Sequence, residues 1–238
     1  MQYSQPPMLD HARIKAITLD LDDTLWPIWP TIARAETVLA DWLQRHAPAT
    51  ATLFSRPGAL REIRNQMTTL RPDLASDLSA LRRESIRLAL GQAGDDPSLA
   101  EPAFEVFFAE RQRVDLFDDV HECLGRLAER YPLVALSNGN ADVQRVGLGA
   151  YFSASLSAQQ FGVAKPDPRI FEAAAAAATV APAEVLHVGD DVDTDVMGAL
   201  NSGLQAVWVN REAKAWPHAS PAPWTISSLH ELCRHLVG

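Results

Sequence analysis

Residues 15–26 read KAITLDLDDTLW, and the fold turns on them. The stretch opens with a short apolar run over 15–21 that carries the β-branched Ile17 and Thr18, and it breaks off among the acids Asp20, Asp22 and Asp23. Such a run predicts a buried strand whose carboxyl end opens into a polar loop. Just beyond it the periodicity changes. Ile28, Ile32, Ala35, Val38, Leu39, Trp42 and Leu43 recur at helical spacing between Pro27 and Pro48, which predicts an amphipathic helix. Helical patterns follow over 78–90 and 103–114, the latter bringing Phe104, Phe107 and Phe108 to one face, and no strand-like run interrupts them. Residues 27–112 therefore read as an all-helical insertion.

Past Asp115 the texture alternates. Helices are expected over 120–130, 143–148, 168–178, 194–202 and 229–236, and strands over 133–136, 154–156, 185–188 and 206–209. Strand and helix in strict turn argue for a parallel sheet covered on both faces, which the first strand joins. The alanine run at 173–178 reads as helix, since alanine is the best helix former. The class is α/β, with a core of residues 1–26 and 113–238 around the helical insertion.

With 238 residues, 47% of them hydrophobic, the chain can bury one sizeable core and a smaller lobe, which excludes a disordered or disulfide-stapled miniature. A formal net charge of −9 disfavours general affinity for nucleic acid or an anionic membrane. Cys123 and Cys233 alone cannot form an extracellular scaffold, and they fit a reducing compartment. Residues 1–15 hold no apolar stretch of signal-peptide length, and no later run reaches the ~20 apolar residues of a membrane span. The expectation is a cytoplasmic protein with neither nucleic acid nor membrane as partner. The oligomeric state stays open.

In an open parallel sheet, ligands collect beyond the carboxyl ends of the strands. Four polar clusters stand there: Asp20-Leu21-Asp22-Asp23-Thr24, Ser137-Asn138, Lys165-Pro166-Asp167, and Gly189-Asp190-Asp191 with Asp195 beyond. Each alone has an ordinary reading as a helix cap, a turn or a solvated lysine. Their common placement at strand ends makes them one candidate site.

DLDDT, SN, KPDP and GDDVDTD in this order resemble the haloacid dehalogenase superfamily, and residues 27–112 sit where that family carries its helical C1 cap. The resemblance implies a Rossmann-like core. It implies Asp20 as nucleophile, Asp22 as general acid and base, and Ser137, Asn138 and Lys165 as the phosphoryl contacts. It further implies Mg²⁺ held by Asp20, the backbone carbonyl of Asp22 and Asp190, with Asp195 and Asp191 supporting the metal shell. An acid at position 22 is similar to the family's phosphatases and phosphomutases, whereas its dehalogenases use none there and need no metal. Hydrolysis of a small phosphorylated metabolite through an aspartyl-phosphate is the activity implied. The alternatives are a phosphomutase of the β-phosphoglucomutase type and a non-catalytic phospholigand-binding protein. The core wording resembles bacterial riboflavin-pathway phosphatases that act on 5-amino-6-(5-phosphoribitylamino)uracil or FMN, while residues 27–114 match them less clearly.

Electrostatics asks for the cation independently. Like charges ~4 Å apart at an effective dielectric of ~20 repel by about 4 kcal/mol per pair, so Asp20, Asp190 and Asp195 would expel a phosphate ester. Lys165 and a divalent cation offset that charge, and hard oxygen ligands select Mg²⁺. Other residues read two ways. Arg34 and Glu36 are a solvated helix face or contacts to the leaving group. Trp26 and Trp29 are stacking faces for a planar substrate, or hinge and core aromatics. His187 reads as a satisfied packing residue, not a metal ligand, and Cys123 as buried and inert.

Overall fold

In the computed structural model, which describes residues 9–56 and 58–238, the KAITLDL run becomes strand β1 (Ala16–Leu19), buried throughout. Residues 1–8, part of the segment read as lacking a signal-peptide core, lie outside the described residues. The other strands are β2 (Leu133–Ser137), β3 (Ala154–Ser157), β4 (Val185–Gly189), β5 (Gln205–Val209) and β6 (Trp224–Ile226). Among the described residues they form one parallel sheet in the order β3-β2-β1-β4-β5-β6. Every residue of β1, β2 and β4 is buried, as a sheet covered on both faces requires. The order reverses at β1, which places the crevice at its carboxyl end. There Thr18 lies opposite Val134 on one side and His187 on the other.

The chain divides into two compact units. Ile28–Asp115 is a helical unit of α1 (Ile28–His46), α2 (Pro48–Phe54), α3 (Ala59–Leu70), α4 (Leu78–Ala93) and α5 (Ala100–Arg111), with no strand among its described residues. Its bounds lie one residue after the expected start and three after the expected end. Ala35, Leu39 and Leu43, four residues apart on α1, pack with Ile86 and Leu90 of α4 and with Phe104 and Phe107 of α5. Asp77 caps α4 by accepting from the Ala80 N–H, and Gly94 ends it at a φ of 81°. Arg34, with 38% of its side chain exposed, donates to Asp115 at 2.7 Å and also bonds the Arg113 carbonyl. Glu36 bridges the buried Arg82 at 3.4 Å.

The second unit comprises the described residues 9–27 with Leu116–Gly238. Its helices are α6 (Val120–Ala128), α7 (Ala158–Phe161), α8 (Pro168–Ala177), α9 (Gly198–Asn201) and α10 (Leu229–Leu236). Ile170, Phe171, Ala174 and Ala175 of α8 pack with Ala16, Val134, Leu136 and Ala206 of the sheet. One expectation needs correction and a second gains detail. Residues 143–148 form a turn, not a helix: Leu148 bonds back five residues to Val143, and Gly147 leaves the right-handed region at a φ of 84°. Residues 194–202 begin in a π-helical segment, Val192–Met197, and only then enter α9.

The two ends of the inserted segment are fastened within this second unit. Phe117 N–H donates to the Leu25 carbonyl at 3.0 Å. Arg211 lies over the Phe117 ring and donates to both the Thr24 carbonyl, at 3.1 Å, and Asp119, at 3.0 Å.

Candidate active site

Three carboxylates meet beyond the carboxyl ends of β1 and β4. Asp20, Asp190 and Asp195 each present an oxygen within 4.8 Å of the others. Asp20 follows β1 directly, and its N–H is anchored to the Val188 carbonyl of β4. The chain then turns tightly. Asp23 takes a φ of 58°, and its N–H bonds the Trp26 carbonyl at 2.7 Å. The indole N–H of the fully buried Trp26 donates to Asp22 at 2.8 Å, so Trp26 braces the acid two residues after Asp20 and offers no stacking face. Trp29, by contrast, is 68% exposed.

Lys165 is buried among these acids. Its Nζ donates to Asp20 at 2.6 Å and to Asp195 Oδ1 at 2.5 Å. Asn138, expected with Ser137 to meet phosphate, turns its amide to the lysine's backbone: Oδ1 accepts the Lys165 N–H at 2.7 Å and Nδ2 donates to the Lys165 carbonyl at 2.9 Å. The Ser137 hydroxyl, at the end of β2, accepts the Gly139 N–H at 2.9 Å and keeps its own hydrogen as a donor. Asp191 caps the π-helical segment, accepting from Asp193 and Thr194, while its N–H reaches Asp195 Oδ2 at 3.0 Å. Its carboxylate therefore serves the helix end, not the acid cluster. Asp190 is held from both sides, by the Thr24 hydroxyl on its carboxylate at 3.1 Å and by the Trp208 indole on its carbonyl at 2.9 Å.

Burial lifts the Asp20 carboxyl well above its ordinary range against the pull of Lys165, and Asp195 and Asp190 add to the rise. Burial, Asp195 and Asp23 push Asp190 up to about 7. Burial also works against the Asp195 carboxylate, yet Lys165 and His187 hold it below the ordinary range. Lys165 itself is kept protonated by Asp195 and Asp20 in spite of burial. One ammonium thus faces three clustered carboxylates, two of them reluctant to ionise. That donor set fits a hard divalent cation, whose charge would favour ionisation of both.

Sequence reasoning assembled the acids and Lys165 but did not assign Trp26, Thr24, Asn138 or His187 the bracing roles they take here. Only Trp26 left a local signal, four residues from Asp22. Asn138 and Lys165, or Thr24 and Asp190, meet across the sheet. His187 is satisfied, as expected, but its partners are Thr18 at 2.8 Å and Asp195 at 3.2 Å. Cys123 and Cys233 are buried free thiols, with burial pushing Cys123 up to about 12. The helical unit carries a recess of about 380 Å³ lined in part by Trp29, Glu36, Phe54, Arg61 and Arg64. No helix among the described residues is long and apolar enough to cross a membrane.

Residues 14–203 match the family model of haloacid dehalogenase-like hydrolases. Over 204 residues, 84% of this chain and 85% of the relative, the sequence is 38% identical to a 5-amino-6-(5-phospho-D-ribitylamino)uracil phosphatase of Escherichia coli K12. A phosphoserine phosphatase of Thermus thermophilus is 39% identical over 62% of each chain. Among solved structures, one named as a 2-haloacid dehalogenase from Pseudomonas syringae pv. tomato superposes with a TM-score of 0.87 at 39% identity, covering 94% of this chain and 98% of that one. Fold, family model and relatives agree that this chain belongs to the haloacid dehalogenase-like hydrolases.

Proposed function

We propose that this chain hydrolyses the phosphate monoester of a small metabolite, with Asp20 taking the phosphoryl group as an aspartyl-phosphate and Asp22 moving the proton. Family and phosphatase relatives together make it a phosphoric monoester hydrolase. The observation that carries the mechanism is the pairing of Lys165 with Asp20 at 2.6 Å inside an acid cluster, with a second acid, Asp22, on the same loop.

An Asp20 oxygen would attack phosphorus while the bond to the ester oxygen breaks, and Asp22 would give that oxygen its proton. Asp22 would then take a proton from water, whose oxygen attacks the same phosphorus and releases Asp20 with inorganic phosphate. Ser137 and Lys165 would donate to the phosphoryl oxygens, where charge spreads in the transition state. Mg²⁺ held by Asp20, the Asp22 carbonyl and Asp190 would offset that negative charge. Asn138 keeps Lys165 in place, and Trp26 keeps Asp22 in place. The helical unit reads as the cap that selects the leaving group. The Escherichia coli relative favours 5-amino-6-(5-phospho-D-ribitylamino)uracil as the substrate.

The name of the Pseudomonas structure favours a second reading, displacement of halide from a 2-haloacid. Halide leaves without a proton, so that reaction needs neither an acid for its leaving group nor a cation to offset phosphoryl charge. Position 22 could serve there only as base for the water that frees the ester from Asp20. The purified protein should release phosphate from p-nitrophenyl phosphate with Mg²⁺, stop in EDTA, and lose turnover without unfolding in Asp20→Asn. Halide release from 2-chloropropionate without phosphatase activity would reverse the assignment. A panel of phosphorylated metabolites that includes the uracil derivative then ranks substrates.

A further inference from the structure

The mechanism above leaves His187 unused, although it is fully buried and touches the acid cluster directly. It sits on β4 opposite Thr18 of β1, in a layer otherwise apolar, with the edge of Phe171 against it at a centroid distance of 5.3 Å. Both ring nitrogens have partners. Nδ1 lies 2.8 Å from the Thr18 hydroxyl and Nε2 lies 3.2 Å from Asp195 Oδ1.

The partners decide where the hydrogens go. Asp195 is kept ionised by Lys165, so its Oδ1 only accepts, and His187 Nε2 must carry the hydrogen between them. Burial lowers the ring's hold on a second proton, so the imidazole is neutral, Nδ1 accepts and the Thr18 hydroxyl donates to it. The result is a chain of hydrogen bonds through a neutral imidazole, Thr18 to His187 to the Asp195 carboxylate, that ends on the oxygen Lys165 also uses. Lys165 continues the chain to Asp20 at 2.6 Å. Asp195 Oδ2 is taken by the Asp191 N–H at 3.0 Å. Three donors from three elements therefore fix both oxygens of this carboxylate. Behind it, Gly189 leaves the space a side chain would fill, since a Cβ there would lie 2.4 Å from Asp195 Cγ.

We infer that His187 is a positioning residue for phosphoryl transfer: as a neutral Nε2–H donor braced by Thr18, it holds Asp195 Oδ1 in the direction that aims the Lys165 ammonium at Asp20. Without that donor, Asp195 Oδ1 has Lys165 as its remaining side-chain partner, and the carboxylate draws the ammonium toward itself. The lysine then sits off the line along which charge develops during the transfer, where small misplacements cost most. The inference rests on the phosphatase reading for its kinetic consequence, whereas the hydrogen-bond assignment rests on the contact distances and on the carboxylate that Lys165 keeps ionised.

Two near-isosteric replacements separate positioning from packing. Gln offers an N–H to Asp195 and a carbonyl to Thr18, whereas Met fills similar space with neither. His187→Met should lower kcat on p-nitrophenyl phosphate about tenfold or more with a smaller change in KM, and His187→Gln should recover most of the loss. Thr18→Val, which removes the brace, should lower kcat in the same sense. Equal activity in Met and Gln variants, or a better Met variant, would show that the site needs only volume and would overturn the inference. Nitrogen-15 shifts of the His187 ring in the wild-type protein at pH 7 read the assignment with no turnover and no substitution. A proton on Nε2 alone supports it, and a proton on Nδ1 contradicts it. An inactive wild type would instead remove the phosphatase reading and leave the ring assignment to be decided by the spectrum.

Discussion

Asp20 and Asp190 carry the same tension, a buried carboxyl that the proposed mechanism requires to ionise. For Asp190 the folded chain holds its proton up to about pH 7, while the unfolded chain loses it near the ordinary value of 3.8. Between those values the folded state binds the extra proton, so this group's contribution to stability falls as pH rises, by up to about 1.4 kcal/mol per unit. Asp20 acts in the same direction, while Asp195, held low, contributes stability that is lost only on acidification below the ordinary carboxylate range. In EDTA the melting temperature should therefore drop from pH 5 to pH 7.5. Added Mg²⁺ should raise it more at pH 7.5 than at pH 5, because the cation competes with the protons. Thermal denaturation at the two pH values, with and without Mg²⁺, checks this, and an equal Mg²⁺ effect at both would contradict it.

Among the elements, β4 shows how a strand end shapes the cluster. Gly189 closes the strand, and a Cβ there would meet Asp195 Cγ at 2.4 Å and Oδ2 at 2.5 Å. Because Asp195 is pinned by Lys165, His187 and the Asp191 N–H, it cannot yield without breaking one of them. Gly189→Ala should cut kcat on p-nitrophenyl phosphate about tenfold or more while the far-UV spectrum stays native, and wild-type kinetics in this variant would mean that Asp195 moves freely. Five of the six strands were readable, β1, β2, β4 and β5 as continuous apolar runs bounded by polar residues and β3 as the short stretch at 154–156. β6 was not, since Trp224–Ile226 is three residues long and has no periodicity to detect. Helix α3 escaped notice because only Ala59, Ile63 and Met67 face inward from a polar sequence. The turn at 143–148 was over-read, since its apolar pattern carries no information on the left-handed Gly147. Acids and lysine were legible as short motifs at strand ends. The bracing roles of Asn138 and His187 were not, because both act on residues that only the parallel sheet brings alongside them.

For the whole molecule, the proposed reading assigns chemistry and choice of substrate to different units. The acids, Lys165 and Ser137 belong to the sheet unit, and the recess bearing Trp29, Glu36 and Arg64 belongs to the helical one. If that recess reads the leaving group, Trp29→Ala and Arg64→Ala should change the ranking of metabolite esters about tenfold or more in kcat/KM. The same variants should change p-nitrophenyl phosphate turnover far less. A proportional loss on every ester would remove the helical unit from substrate selection. The Phe117–Leu25 hydrogen bond and the Arg211 clasp across Thr24 and Asp119 bring the start and finish of the inserted segment to one point on the sheet unit. To the catalytic scaffold, some ninety residues are thus a single long surface loop, and loops tolerate replacement where their roots stay fixed. Grafting another relative's helices between those same roots would leave every strand and every ligand of the scaffold in its native sequence context, which gives evolution, or an engineer, a way to exchange specificity wholesale without reinventing catalysis.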